Sequence, residues 1–200
     1  LAQLGALYIS NLCATKPSKV KNELLSVEIS PMPNPIIAES NASRTIHQGI
    51  EAGLNSLLLS QDGLGDLSLR QSYTYSDFKY KNDPVFGKNQ LPGLPKHFYQ
   101  AQLRMDLYNG IFASLNTEHA SKVPVDYANS FYADAYNTWG VSLGYQPESK
   151  KWNTWIDFKN IGDKHYAATV TPGYNDKGLD VARSTPGEGF STYAGASINF

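Results

Sequence analysis

Four histidines, His47, His97, His119 and His165, are the side chains of this 200-residue chain most suited to metal ligation or proton transfer. None has a second His or a Cys at ligand spacing. Cys13 is the single cysteine, so an intramolecular disulfide and a cysteine metal cluster are both excluded. Two carboxylate pairs, Asp157 with Asp163 and Asp126 with Asp134, could share acid and base roles, but nothing in the sequence sets either pair side by side. The acidic stretch from Asp126 to Asp134 offers oxygen ligands without the spacing of a calcium loop. There is no Gly-x-Ser-x-Gly elbow, no His-Glu-x-x-His pair and no phosphate loop. The chemistry-bearing residues therefore predict no catalytic residue, no metal site and no cofactor.

The elements that carry these residues read as strands. From Phe190, the residues Phe190, Thr192, Ala194, Ala196, Ile198 and Phe200 fall on one face, and Ser191, Tyr193, Gly195, Ser197 and Asn199 on the other. Trp152, Thr154, Ile156 and Phe158 repeat the pattern, with Trp155 on the polar side. The alternation is cleanest from His97 to Tyr108, where Tyr99, Ala101, Leu103, Met105 and Leu107 oppose Gln100, Gln102, Arg104 and Asp106. Similar strands are predicted over Lys21–Ser30, Arg44–Leu58, Asp66–Phe78, Ile111–Thr117 and Trp139–Gln146. In the second of these, Gly49 and Gly53 would each cost a helix about 1 kcal/mol. Leu1–Ala14 keeps neither period well.

The connections alternate in length. Short turns are expected near 16–19, 60–65, 109–110 and 147–151, and long excursions near 31–43, 79–96, 118–137 and 162–189. Pro17 marks the first turn, Pro31, Pro33 and Pro35 the first long loop, and Asn109-Gly110 a two-residue hairpin in which both residues tolerate positive φ. A soluble sandwich has no reason to sort its connections this way, whereas a membrane barrel has short turns at one rim and long loops at the other. Composition agrees: charged residues are only 18%, Tyr, Trp and Phe number 13, 3 and 8, and mean hydropathy is low at −0.38, as expected when a polar lumen face dilutes the apolar one. No apolar run reaches the ~18 residues of a spanning helix. A net charge of −1 argues against nucleic acid as a partner. Tyr108, Tyr145 and Trp152 would form the aromatic girdle at the short-turn rim, and Tyr73, Tyr75, Tyr99 and Trp139 the girdle at the other.

Several segments, taken in order, resemble the C-terminal part of the β-barrel of TonB-dependent outer-membrane receptors of the ferric-siderophore type. Asn160-Ile161-Gly162-Asp163-Lys164-His165-Tyr166 resembles that family's Asn-Leu-x-Asp-Lys-x-Tyr, and Pro186-Gly187-Glu188-Gly189 its Pro-Gly-x-Gly. Leu91 to His97 and Asn41 to Glu51 resemble strand entries, and the final strand ends on Phe200. Phe190 stands where the family usually has Arg. The resemblance covers residues 21–200 and leaves 1–20 as a poorly matched segment.

The resemblance implies an all-β, antiparallel transmembrane β-barrel of which this chain supplies only the last seven or eight strands, without plug or energy-coupling box. It implies no enzyme but part of an outer-membrane importer, most simply for a ferric siderophore. Its partners would be outer-membrane lipid, the TonB complex acting through the plug of a full-length receptor, and the barrel-assembly machinery, for which Phe200 would be the signal. Loop residues that could stack on or pair with an anionic chelate are Tyr127, Tyr132, Tyr136, Tyr174 and Arg183. Two other readings compete: a complete eight-stranded barrel with an adhesive or structural role, and a soluble β-domain enzyme or lectin.

Overall fold

The computed structural model describes residues 3–4, 7–20, 24–30, 36–41, 44–174 and 180–199. Its strands are β1 (Gln3–Leu4), β2 (Leu7–Val20), β3 (Leu24–Ser30), β4 (Ile36–Asn41), β5 (Thr45–Gln61), β6 (Gly65–Tyr80), β7 (His97–Leu107) and β8 (Ile111–Ala120). They continue with β9 (Val123–Pro124), β10 (Tyr132–Ala133), β11 (Tyr136–Tyr145), β12 (Trp152–Lys159), β13 (Ala167–Tyr174), β14 (Asp180–Pro186) and β15 (Ser191–Ile198). One antiparallel sheet forms a wall in the order β1-β5-β6-β7-β8-β11-β12-β15, with β2 also pairing β5. Wall neighbours follow one another along the chain, and three small hairpins, β3–β4, β9–β10 and β13–β14, stand outside it. Among the described residues β15 makes no ladder with β1 or β2, so the sheet is open, which gives the closed eight-stranded reading no support.

Register carries one face intact across the wall. Leu69 pairs Leu103, Leu103 pairs Leu115, Leu115 pairs Val141 and Val141 pairs Phe158, so the apolar positions of five strands are aligned. Ile50, Leu103, Leu115, Leu143 and Ile198 on this face are 46%, 36%, 41%, 44% and 65% exposed. The buried apolar residues among those described, Tyr80, Leu91, Ala120, Val125, Tyr127 and Val170, lie instead at the long-loop end. A sandwich would cover the wall's apolar face with a second sheet; among the described strands no second sheet of comparable extent stands opposite it. From Tyr99 to Tyr108 the strand rises about 23 Å at ~3.3 Å per residue and a ~40° tilt, close to the apolar band of such barrels. Tyr145 and Trp152 pack on each other, tilted by 53°, at the short-turn rim with ring centroids 5.4 Å apart.

The opposite face is polar and cross-bonded. Gln102 Nε2 donates to Asn116 Oδ1 at 2.9 Å, Arg70 Nε to Asn55 Oδ1 at 3.2 Å, and Arg104 grips Asp106 through Nε and Nη2 at 2.7–3.0 Å. Near the short turns this face changes character. Phe112, Gly144, Trp155 and Gly195 pair in sequence across four strands. Each ring lies over a glycine: a Cβ on Gly144 would come within 2.2 Å of Phe112, and one on Gly195 within 2.4 Å of Trp155. The position of Trp155 on the polar face is thus a packing solution in which bare backbone accepts a flat ring.

Five connections differ from the sequence-based expectation. The expected turn at 16–19 is strand: β2 runs through it with a register shift between Thr15 and Ser18, the kind of bulge that accommodates a proline such as Pro17. The first strand of the wall is therefore β1 with β2, and the predicted strand over Lys21–Ser30 belongs to the excursion above it. The predicted loops at 31–43, 118–137 and 162–189 contain paired strands: β4 pairs β3, β10 pairs β9, and β14 pairs β13, where Pro172 lies opposite Ala182 and Pro186 opposite Ala167. At Asn109-Gly110 only Gly110 takes positive φ, at 90°, while Asn109 Oδ1 accepts the Ile111 N–H at 3.1 Å.

Candidate functional site

Above the wall, the first resembled motif and the second are one clasp. β12 ends at Lys159, and Asn160 enters the left-handed region with φ 47°, reversing the chain. Asn160 is buried, and its Nδ2 donates to the carbonyls of Lys164 and Glu188, both at 2.9 Å, while its Oδ1 accepts the Lys164 N–H at 2.9 Å. Asp163 Oδ1 accepts the Phe190 N–H at 2.9 Å, and the Gly187 N–H donates to the Tyr166 carbonyl at 2.8 Å. The Tyr166 ring covers Gly187, where a Cβ would approach to 2.2 Å. Asn supplies both donor and acceptor and tolerates positive φ; Gly supplies the flat seat for Tyr. The clasp fixes both ends of the connection that carries β13 and β14.

A second cluster joins two other loops. Tyr80, Leu91 and Tyr127 are buried together, with Phe86 stacked on Tyr80 at 5.2 Å and tilted on Tyr127 at 5.7 Å. Asn129 behaves as a strand edge toward Gln90: its Oδ1 accepts the Gln90 N–H at 2.8 Å and its Nδ2 donates to the Gln90 carbonyl at 2.9 Å. Asp126 is 2% exposed and organises the same loop, accepting from Ser130 Oγ at 2.5 Å, Phe131 N–H at 3.0 Å and Ser130 N–H at 3.1 Å. Burial alone would raise its carboxyl; these hydrogen bonds outweigh burial and hold it below the ordinary carboxylate value of 3.8. The lowered value means a contribution fully present above 3.8 and lost as pH falls through the folded value. Asp126→Ala is expected to open this loop, raising proteolytic cleavage within 121–135 severalfold at neutral pH, with the wild type converging on it in acid. No group of three or more His, Cys, Asp or Glu stands together for a metal among the described residues.

Two cavities meet between these clusters. The lower, of about 600 Å³, lies against the polar face and is lined by Arg70, Gln102, Asn116, Ser142, Asp157 and Lys159, among others. The upper, of about 470 Å³, is mostly apolar, with Leu94, Pro95, Phe98, Val123 and Val170 in its wall. Glu118 and Tyr166 line both. Glu118 is held on both oxygens, by Tyr136 Oη at 2.8 Å and Gln100 Nε2 at 2.9 Å. The Tyr136 and Tyr166 rings lie 4.2 Å apart. Burial, then the carboxylates of Glu118 and Glu188, push the Tyr166 phenol upward, so it stays a neutral donor across the physiological range.

Of the five ligand candidates in the sequence, Tyr136 lines the upper cavity. Tyr127 is buried at 6% exposure in the loop cluster and forms its core rather than a contact surface. Tyr132 is exposed, with Lys122 Nζ 4.5 Å over its ring. Arg183 lies exposed on β14, its chain against Gly173. The backbone of Tyr174 ends β13 opposite Asp180, while its side chain and Phe200 lie outside the described residues. Glu118, Gln100 and Tyr166 were not singled out as ligand contacts from the sequence. Tyr166 had a signal there, as the last residue of the Asn160 motif; Glu118 had none, because its role comes from register against Gln100 and from Tyr136 on the next strand.

The comparisons with known proteins follow this geometry. A search of curated proteins finds no match. Among solved structures, the siderophore receptor PiuA from Acinetobacter baumannii superposes with a TM-score of 0.63 at 19% identity, covering 89% of this chain and 24% of that one. The ferric yersiniabactin uptake receptor FyuA from Yersinia pestis gives a TM-score of 0.64 at 19% identity, covering 82% of this chain and 25% of its own. The chain thus spans about a quarter of the length of these receptors. A family model described as TonB dependent receptor-like, beta-barrel, matches residues 18–161, from the end of β2 through the wall to the first residues of the clasp. A wall of antiparallel strands with one apolar and one polar face, short turns below and folded loops above, together with this match, places the chain in the TonB-dependent receptor-like β-barrel family.

Proposed function

We propose that the chain forms part of the wall of an outer-membrane importer for a ferric siderophore, and that ligand is held where the two cavities meet beneath the loops. The observation that carries this reading is the junction at Glu118, Tyr136 and Tyr166, where a polar lumen cavity opens into an apolar one under an ordered loop layer. The solved receptors similar in fold are named for siderophore uptake, which supports the choice of cargo. In this reading the outward face contacts outer-membrane lipid, the lumen face guides ligand past a plug driven by the TonB complex, and Phe200 addresses the barrel-assembly machinery. Tyr132, Tyr174 and Arg183 would be outer contacts, met before the junction.

Binding is tested by fluorescence titration of a full-length receptor containing this wall, refolded in detergent, with ferric hydroxamate and ferric catecholate chelates. Tyr166→Ala is expected to weaken binding about tenfold while leaving heat-modifiable migration of the barrel unchanged, because its hydrogen bond to Gly187 is made by the backbone. Unchanged affinity would remove the junction from the ligand path.

A further inference from the structure

The upper cavity has a chemistry of its own, distinct from that of the lumen. Its wall is aliphatic and aromatic, and the Tyr136 and Tyr166 rings, packed on each other with centroids 4.2 Å apart, both contribute to it. Glu118 is the one charged side chain among its lining residues; Arg70 and Lys159 line the lower cavity only. The carboxylate cannot turn away, since Tyr136 Oη and Gln100 Nε2 fix both oxygens at 2.8 and 2.9 Å. A volume of about 470 Å³ falls within the range of small-molecule sites and leaves room for a substituted ring.

We infer that this cavity, within the siderophore reading on which the inference rests, seats an uncharged aromatic arm of the ligand, and that Glu118 is the specificity-determining residue that turns anionic arms away. An aromatic ring entering beside the Tyr136–Tyr166 pair gains offset or edge contacts with it and buries its apolar surface against Phe98 and Val170. An anionic arm entering the same space sheds water and meets a fixed negative charge, with no cation in the lining to repay the loss. The loop residue Tyr136 leads to a carboxylate here, and Arg183 lies on the β13–β14 hairpin and does not line this cavity.

Three iron complexes separate the terms: ferric tris-benzohydroxamate, aromatic and neutral; ferric tris-acetohydroxamate, neutral without a ring; and ferric tris-catecholate, aromatic and trianionic. Fluorescence titration of the refolded full-length receptor containing this wall is expected to rank the benzohydroxamate at least tenfold above both others. Glu118→Gln, which keeps a carbonyl oxygen for Tyr136, should close the gap to the catecholate by about tenfold and leave the gap to the acetohydroxamate unchanged. Val170→Trp, which fills the cavity, should abolish the preference for the ring. Equal affinity for all three, or a Glu118→Gln variant with the wild-type ranking, would overturn the inference while leaving the receptor reading intact. Binding of none of the three would overturn both.

Discussion

Asn160→Ala is expected to cost the folded protein about 4 kcal/mol, with the loss concentrated at the connection above β12. The amide makes three hydrogen bonds from a buried position, to the Lys164 and Glu188 carbonyls and from the Lys164 N–H. At roughly 1 kcal/mol net for each bond they account for most of that figure. The remainder, about 1 kcal/mol, is the left-handed backbone that Asn tolerates and Ala resists, at φ 47°. Denaturant titration of heat-modifiable migration in detergent measures the shift, and cleavage between Lys164 and Glu188 reports whether the clasp has opened. Asn160→Asp keeps the acceptor, loses both donors and points a carboxylate at two carbonyls. It should therefore fare no better than alanine at neutral pH and improve in acid as the carboxyl gains a proton. If both variants unfold with wild-type midpoints, the clasp does not hold the connection.

Gly144→Val is expected to be equally damaging at the opposite end of the barrel, by a different route. A Cβ there would stand 2.2 Å from Phe112 Cζ and 2.6 Å from the Thr154 carbonyl oxygen. The ring can swing aside; the carbonyl belongs to the β11–β12 ladder, where Tyr145 pairs Thr154, and cannot. Overpacking of this sort costs about 1–3 kcal/mol, and more where backbone must shift. The double variant Gly144→Val with Phe112→Ala separates the two clashes. Partial recovery of refolding yield is expected, because removing the ring leaves the carbonyl contact and also takes away the surface over which Arg104 sits, 4.0 Å from the ring centroid. Complete recovery would show that the ring alone was the obstacle.

What could be read without coordinates was the part of the molecule built by period two. The alternation from Tyr99 to Leu107 survives as a continuous apolar face because a wall with one apolar and one polar side imposes opposite demands on neighbouring residues. The same physics explains the misread segments. Above the wall that demand lapses, so β4 and β14 lack a clean two-faced pattern and read as loop, while Pro17 reads as a breaker although a bulge in β2 absorbs it. The dispersed histidines also resolve by position: His97 stacks with Tyr73, whose Oη lies 2.8 Å from its Nδ1, and His47 tilts on Phe78 at 4.6 Å. Neither arrangement is a catalytic one, and the chain, as a member of a receptor family, is not an enzyme. The ligand junction was only half legible. Tyr136 stands out as a loop aromatic, but Glu118 looks like any polar residue until register sets it against Gln100 and the loops bring Tyr166 over it.

The clasp around Asn160 also bears on how fast the wall can form. Three of its ladders, β5–β6, β7–β8 and β11–β12, join strands through short turns, such as Gln61 to Gly65 and Leu107 to Ile111, and close locally. The ladder between β12 and β15 must wait for the longest connection between neighbouring wall strands to bring its ends together, at an entropic cost that grows with the logarithm of its length. The hydrogen bonds from Asn160 to Glu188 and from Phe190 to Asp163 tie that connection at its base, next to the first ladder pair, Lys159 with Ser191. Once they form, the β13–β14 hairpin becomes a side branch, and the final strand zips onto β12 as though joined to it by a short turn.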